Sequence, residues 1–291
     1  MIINGREIAN EIKESLKEKI SKLGKKPNII FVSVGENLVT NKFVGLKQRF
    51  ADEIGIKSVV KDFSEKILEE NFEEEVKKIT SDKNIDGIVI QLPLPLHINT
   101  EKILNLIPRE KDPDILGEEA FNFFESGKSK ILPPVVGAIK EIFDKYQIYH
   151  VKFGALGTKK TERFLFNGVN FKNKNIVIIG KGKLVGLPTS IWFSNQHIKY
   201  TILEKGDDIL KYTKDADIII SGTGNANLIT PEMIKDDVVL IDAGTSELKG
   251  QIIGDIDKDC LGKASLFSMV PGGIGPITIA VLFKNLFMLK K

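Results

Sequence analysis

The sequence predicts an α/β protein of two halves, each with a mostly parallel sheet covered by helices. Three observations carry this. Short, β-rich apolar runs alternate with stretches of helical periodicity almost throughout the chain. Glycine or proline closes many of these runs. The length, 291 residues, suits roughly two domains at about 150 residues each.

In the first half, residues 28–35 (NIIFVSVG) read as a buried strand and residues 40–54 as a helix closed by Gly55. Residues 56–60 read as a second strand. Residues 65–80 are charged, with apolar residues at helical spacing, and read as a solvated surface helix. Residues 85–92 (IDGIVIQL) read as a third buried strand, stopped by Pro93 and Pro95. The order β, α, β, α, β implies parallel pairing. A break rich in serine, glycine and proline, residues 125–134, ends this half near residue 135.

Residues 137–148 read as a helix. Residues 150–170, with Gly154, Gly157 and the pair Lys159-Lys160, match no element. The alternation then restarts, with strands at 175–179, 199–203, 216–221, 238–242 and 265–268 and a helix at 186–196. A last helix, 277–289, is apolar enough to pack back on the first half.

Composition excludes several function classes. Lys plus Arg is 42 and Asp plus Glu is 39, so the net charge is +3, too small for a dedicated nucleic-acid binder. The chain is 42% apolar and 28% charged, which excludes a disordered polypeptide. The single cysteine, Cys260, forms no internal disulfide and suggests a reducing compartment. Charges at Arg6 and Glu7 interrupt any signal-peptide core, and no apolar run approaches the ~20 residues of a membrane span. A cytoplasmic protein without membrane or nucleic-acid partners is expected. His97, His150 and His197 are scattered and make no i, i+4 ligand pair, so no metal is expected. No Gly-x-Ser-x-Gly elbow is present.

One motif points to a nucleotide. The strand at 176–179 runs into Gly180-Lys181-Gly182, followed by Gly186 and Pro188. Closely spaced glycines between a strand and a helix let backbone approach a phosphate, and the helix N-terminus offers free N–H groups. The third glycine stands one position later than in G-x-G-x-x-G. Glu204 ends the next strand, where an acid would bind a ribose hydroxyl, while Lys181 and Lys205 suit an added ribose phosphate. NAD and NADP both stay open on these residues. The loops at 221–225 and 242–244 also carry glycines at strand ends and should line the same crevice.

The first half holds scattered polar candidates. Lys47 follows Phe43 by four residues, which puts both on one helical face. Gln91 ends a buried strand, and Asp112 and Asp114 flank Pro113 in a loop. Singly, each fits an ordinary surface or capping role. Together, a lysine, an amide and a carboxylate could form one polar pocket. Residues 270–278 (VPGGIGPIT) pack glycine and proline ahead of the last helix, where Gly272 and Gly273 permit positive φ or close ligand approach.

Taken in order, these pieces resemble the methylenetetrahydrofolate dehydrogenase/cyclohydrolase family. The resemblance runs from the IINGREI start to the last helix. It rests on Val34-Gly35, Lys47, the segment 86–95 (DGIVIQLPLP), Lys111-Asp-Pro-Asp114, residues 180–188, Gly254-Asp255 and residues 270–278. It implies two α/β domains with a cleft between them, the second a Rossmann-like dinucleotide domain, and a homodimer. The folate domain would be residues 1–135 with helix 277–291, and the nucleotide domain 136–276. The resemblance further implies oxidation of methylene-tetrahydrofolate with NADP, then hydrolysis of the methenyl product to formyl-tetrahydrofolate. These reactions feed one-carbon units to purine and amino-acid biosynthesis. By the same resemblance Lys47 transfers protons, Gln91 holds and tunes it, and Asp114 grips the pterin. Phe43, Pro271, Gly272 and Gly273 line the folate. Gly180, Lys181, Gly182, Gly186, Glu204, Lys205 and Thr245 face the nucleotide.

The chain departs from the family pattern at several of these positions. Phe43 stands where tyrosine is usual, so a ring remains for stacking and the hydroxyl is gone. Asp114-Ile-Leu116 replaces Asp-Gly-Phe, and residues 133–136 (PPVV) replace Pro-Cys-Thr-Pro. Gly180-Lys181-Gly182 replaces Gly-Arg-Ser or Gly-Ala-Ser, Glu204-Lys205 replaces His-Ser, and Thr245 replaces isoleucine. The stretch between residues 148 and 171 is longer than the family norm. A dehydrogenase without cyclohydrolase activity and a silent folate- or nucleotide-binding homologue are the alternatives these departures leave.

Overall fold

A computed structural model describes residues 1–35, 38–146, 171, 173–248 and 250–290; the unassigned segment 150–170 lies outside the described residues. The chain divides into two compact units. The first comprises residues 9–134 and 279–291, the second residues 1–8 and 135–278.

The first unit carries β1 (Asn28–Val34), α2 (Leu38–Ile54), β2 (Lys57–Phe63), α3 (Glu69–Ser81) and β3 (Gly87–Ile90). Short helices α4 (Thr100–Leu104) and α5 (Glu118–Glu125) follow, and most of α1 (Gly5–Ser21) belongs here too. The three strands are parallel in the order β2-β1-β3, with Ile29 beside both Ser58 and Gly87. Strand β1 is buried along five consecutive residues because helices cover both of its faces. Side chains alternate between those faces. Ile29 and Phe31 pack with Leu16, Ala51 and Ile54, and with Leu282 and Phe283 of α9 (Ile274–Leu289). Ile30 and Val32 pack with Phe72, Val76 and Ile79 of α3 and with Ile103. Gly87 lies beneath α9, where a β-carbon would fall 2.5 Å from Leu286 Cδ1 and push that side chain aside.

The second unit carries α6 (Pro134–Tyr146), β4 (Ile176–Ile179), α7 (Gly186–Asn195), β5 (Thr201–Leu203), α8 (Ile209–Thr213), β6 (Ile218–Ser221), β7 (Val238–Asp242) and β10 (Ala264–Ser268). The sheet is parallel in the order β10-β7-β6-β4-β5. The chain leaves β4 for β5 on one side and returns to β6 on the other. That reversal is the topological switch point at which open α/β sheets bind ligands. A small antiparallel hairpin, β8 (Ser246–Leu248) and β9 (Gln251–Ile253), follows β7.

The predicted α/β class and parallel sheets are therefore present, with some differences of detail. Helix α1 and the β8–β9 hairpin were not expected. Helix α9 starts three residues earlier than residue 277. The first residues make a pairing that the sequence did not suggest. Ile3 N–H donates to Phe267 O and Phe267 N–H to Met1 O, both at 2.9 Å, so the chain start pairs beside β10 in the second unit. Among the described residues, no helix is long and apolar enough to cross a membrane.

Candidate active site

The first unit gathers the polar candidates around the end of its sheet. Helix α2 carries Lys47 and, one turn earlier, Phe43; both are half-buried. Strand β3 ends at Ile90, and Gln91 follows at its carboxyl end, its N–H donating to Val32 O at 2.8 Å. Lys47 Nζ donates to Gln91 Oε1 at 3.1 Å. The same amine lies 5.9 Å from the ring centre of Phe31, which is fully buried on β1.

This surrounding sets the amine's chemistry. Burial pushes the Lys47 pKa below its ordinary value, and the Asp114 carboxylate acts in the opposite direction. Burial likewise pushes the Asp114 carboxyl up, with Lys47 opposing it. Burial that favours the neutral amine, beside a hydrogen-bond acceptor, suits Lys47 to take a proton from water and give it back.

Asp114 owes its place to Asp112, a scaffold that sequence reasoning named only as a neighbour. Asp112 Oδ1 accepts N–H bonds from Asp114 and Ile115, at 3.2 and 2.8 Å. Its Oδ2 accepts from Leu116 and Gly117, at 2.9 and 2.8 Å. Four donors converge on one buried side chain and fix the whole turn. Burial pushes the Asp112 carboxyl up to about 7, against these donors. The signal available in the sequence was an aspartate followed by Pro113 and, five residues on, Gly117, where little space remains: a β-carbon would lie 2.9 Å from Leu104 O. Phe31 gave no signal beyond that of a core residue.

The second unit holds the glycine turn at the carboxyl end of β4. Gly180 adopts φ +89°, which glycine alone takes readily. A β-carbon at Gly186 would fall 1.7 Å from Gly180 O, so helix α7 starts directly against the turn. Nothing lies within 4 Å of the position a β-carbon would take at Gly182. This cradle, with the α7 N-terminus behind it, fits a phosphate. Beyond β5, Lys181 Nζ and Glu204 Oε1 form an ion pair at 2.8 Å, which raises the Lys181 pKa. The two residues the sequence offered for opposite ribose chemistries thus neutralise each other. Lys205 is exposed at the next position, and Thr245 is exposed after β7.

Gly272 has φ +103° in the turn before α9, and its carbonyl accepts from Gly5 N–H at 3.1 Å. Gly273 is packed closely, since a β-carbon would lie 2.6 Å from Met269 O. Pro271 precedes them after a cis peptide bond. These three residues belong to the second unit, whereas Lys47, Gln91 and Asp114 belong to the first. Cys260 is fully buried, and burial pushes its thiol up to about 12, so it offers no nucleophile. Among the described residues, no group of three or more His, Cys, Asp or Glu could hold a metal ion.

Comparison with known proteins agrees with this picture. Residues 3–114 match the tetrahydrofolate dehydrogenase/cyclohydrolase catalytic domain, and residues 162–291 match the NAD(P)-binding domain of the same family. The bifunctional protein FolD of Nitratiruptor sp. is 33% identical over 98% of this chain and 95% of its own. The crystal structure of the bifunctional FolD enzyme, methylenetetrahydrofolate dehydrogenase/cyclohydrolase, from Campylobacter jejuni has a TM-score of 0.87. It is 29% identical, covering 99% of this chain and 98% of that one. The Trypanosoma brucei enzyme, solved in complex with NADP cofactor and an inhibitor, has a TM-score of 0.86. Its identity is 26%, covering 99% of this chain and 96% of that one. With both domain models matched in order and a relative one-third identical along nearly its whole length, the chain belongs to the tetrahydrofolate dehydrogenase/cyclohydrolase family.

Proposed function

We propose that this chain oxidises 5,10-methylenetetrahydrofolate to the methenyl cation with NADP and hydrolyses that cation to 10-formyltetrahydrofolate. The observation that carries the reading is the desolvated Lys47 amine, hydrogen-bonded to Gln91 and electrostatically coupled to Asp114. Folate chemistry belongs on this reading to residues 9–134 with 279–291, and nucleotide binding to residues 135–278.

The residues take distinct roles. Water attacks the methenyl carbon, and the neutral Lys47 amine accepts its proton. The resulting ammonium returns the proton to the ring nitrogen as its bond to that carbon breaks, and the hydroxyl on that carbon loses its proton to solvent as the formyl C=O forms. Gln91 Oε1 holds the amine in line, because it accepts from Lys47 whether the amine is neutral or charged. Asp114, held by the Asp112 turn, accepts the amino groups of the pterin. The ring of Phe43 stacks on the aminobenzoyl portion, and Pro271, Gly272 and Gly273 are further residues for folate binding on this reading.

Hydride transfer asks the protein mainly for orientation. When bound, NADP supplies the hydride acceptor. The Gly180–Gly186 cradle would hold its pyrophosphate, and Lys181, Lys205 and Thr245 would hold the rest of the nucleotide. The NADP complex of the T. brucei relative supports this nucleotide. A cytoplasmic homodimer that feeds one-carbon units to purine and amino-acid synthesis completes the reading.

Absorbance of the methenyl product tests it. Methylene-tetrahydrofolate with NADP should give nucleotide-dependent formation, followed by enzyme-accelerated decay. Formation without accelerated decay would leave a dehydrogenase alone and implicate Phe43. No formation with NADP or NAD would sink the proposal.

A further inference from the structure

We propose that Asp255 is a positioning residue for the nucleotide site, whose carboxylate fixes loop 221–225 against Gly180, the first glycine of the phosphate cradle. The inference rests on the reading of that cradle as the NADP site.

Asp255 is fully buried just after β9. Its Oδ2 gathers three donors from the end of β6: Ser221 Oγ at 2.8 Å, Thr223 N–H at 2.6 Å and Thr223 Oγ1 at 3.0 Å. Thr223 is then the wall behind Gly180. A β-carbon placed at Gly180 would lie 3.1 Å from Thr223 Cγ2 and 3.0 Å from Gly222 O. Gly222 is itself pinned, since a β-carbon there would fall 2.4 Å from Val185, the residue before α7. The path from Asp255 to the phosphate turn is therefore short: hydrogen bonds to Thr223, and Thr223 near enough to Gly180 that a side chain there would crowd it.

The same segment also ties the end of β7. Asp255 N–H and Ile256 N–H donate to the Asp242 carboxylate, at 3.1 and 3.0 Å, and Gly244 N–H joins them at 3.0 Å. Loop 221–225 reaches the Thr245 side as well, where Ser246 Oγ donates to Gly224 O at 2.6 Å. Asp255 thus joins two strand ends directly, that of β6 through its side chain and that of β7 through its backbone N–H.

Asp255 Oδ1 has no hydrogen-bond partner, although it is buried. It lies against Gly244, where a β-carbon would meet it at 2.0 Å. Buried acceptors without donors are rare and costly, so a fold keeps one where the group serves another end. Here the other oxygen holds the wall of the cradle. A supporting shell of this kind sets how well the first contacts bind.

The family reaction supplies its own control, because hydration of the methenyl compound consumes no nucleotide. Purified wild type, Asp255→Ala and Asp255→Asn are compared by NADP titration, by KM and kcat of the dehydrogenase, and by hydrolysis of added methenyl-tetrahydrofolate without nucleotide. Asp255→Ala should raise Kd and KM for NADP about tenfold, while KM for the folate and the hydrolysis rate stay within about twofold. Asp255→Asn keeps an oxygen toward Ser221 and Thr223 and should bind NADP within about threefold of wild type. If Asp255→Ala does not fold, the double variant Ser221→Ala/Thr223→Val removes two of the donors and should raise KM for NADP about fivefold. Unchanged NADP affinity in the folded variant overturns the proposal. So does an equal loss of dehydrogenase and hydrolysis with KM for NADP unmoved, which is what a merely structural residue would give. Wild-type protein that binds no NADP overturns the nucleotide reading itself, and that result is read before any variant.

Discussion

The side-chain amide of Asn285 donates to the carbonyl of Pro113 at 2.9 Å and to that of Leu132 at 2.7 Å. Asn285 lies on α9 and is buried. One amide from the last helix therefore holds the loop that carries Asp114, from behind the residue that separates its two aspartates. Asn285→Leu leaves one buried and one half-buried carbonyl without this donor and should cost about 1–3 kcal/mol in denaturant unfolding. The Asp114 loop should loosen too, seen as a raised KM for folate with Lys47 chemistry intact.

Lys47 should divide the two activities. Lys47→Met removes the proton carrier and should abolish hydrolysis while largely sparing hydride transfer; equal loss of both would point to a folding or folate-binding role. Hydrolysis by wild type should fall as pH drops through the lowered pKa of Lys47, since the ammonium takes no proton. Asp114 raises that pKa, so Asp114→Asn at saturating folate should move the acidic limb to lower pH. The stability consequence has a definite sign. Between the lowered native pKa and the unfolded one, the unfolded chain binds more protons at this residue, so its contribution to stability rises with pH. Lys47→Met removes that dependence, and its melting temperature at neutral pH should equal or exceed wild type.

The cradle glycines should answer differently to one methyl group. Gly186→Ala drives a β-carbon to 1.7 Å from Gly180 O and should remove detectable NADP binding by titration. Gly182→Ala meets nothing within 4 Å and should fold and melt as wild type does, so any change in its NADP affinity reports the space the phosphate needs.

The Lys181–Glu204 pair competes with a ribose phosphate for the same ammonium. Glu204→Gln frees Lys181 and should lower KM for NADP relative to NAD. The pair is exposed, which limits the gain to about fivefold. Changing Lys181 and Lys205 together to Ala should weaken NADP far more than NAD. Unchanged preference in both experiments would assign ribose recognition elsewhere.

Much of this was legible in the residues. Strand β1 shows because a strand covered on both faces is an unbroken apolar run, and the cradle shows because Gly180 and Gly186 are there for a left-handed turn and a sub-contact approach. Lys47 and Gln91 could be named, but not joined, since 44 residues separate them and only the parallel pairing of β1 with β3 brings Gln91 beside α2. Asp112 was hidden for a different reason. Its work is done toward backbone N–H groups, which every sequence has and none displays. The pairing of the chain start was not legible, because Met1 and Ile3 pair through main-chain atoms with Phe267, and short edge pairings carry little side-chain signature. The Lys181–Glu204 pairing likewise depends on two strand ends meeting across β4 and β5.

The chain passes between its two units after residues 8, 134 and 278, so neither unit is a continuous stretch of polypeptide. Ile279, Leu282, Phe283, Leu286 and Phe287 come from α9 and fill the core against Phe31, near the other end of the sequence. During synthesis, the first sheet is translated early and waits for its covering helix until nearly the whole chain exists. Contacts so distant in sequence are slow to close, and the open face is an invitation to aggregate in the meantime. The half that holds Lys47 is therefore mostly made before the bulk of its partner half, residues 135–278, and cannot finish folding until residues 279–291 have followed it.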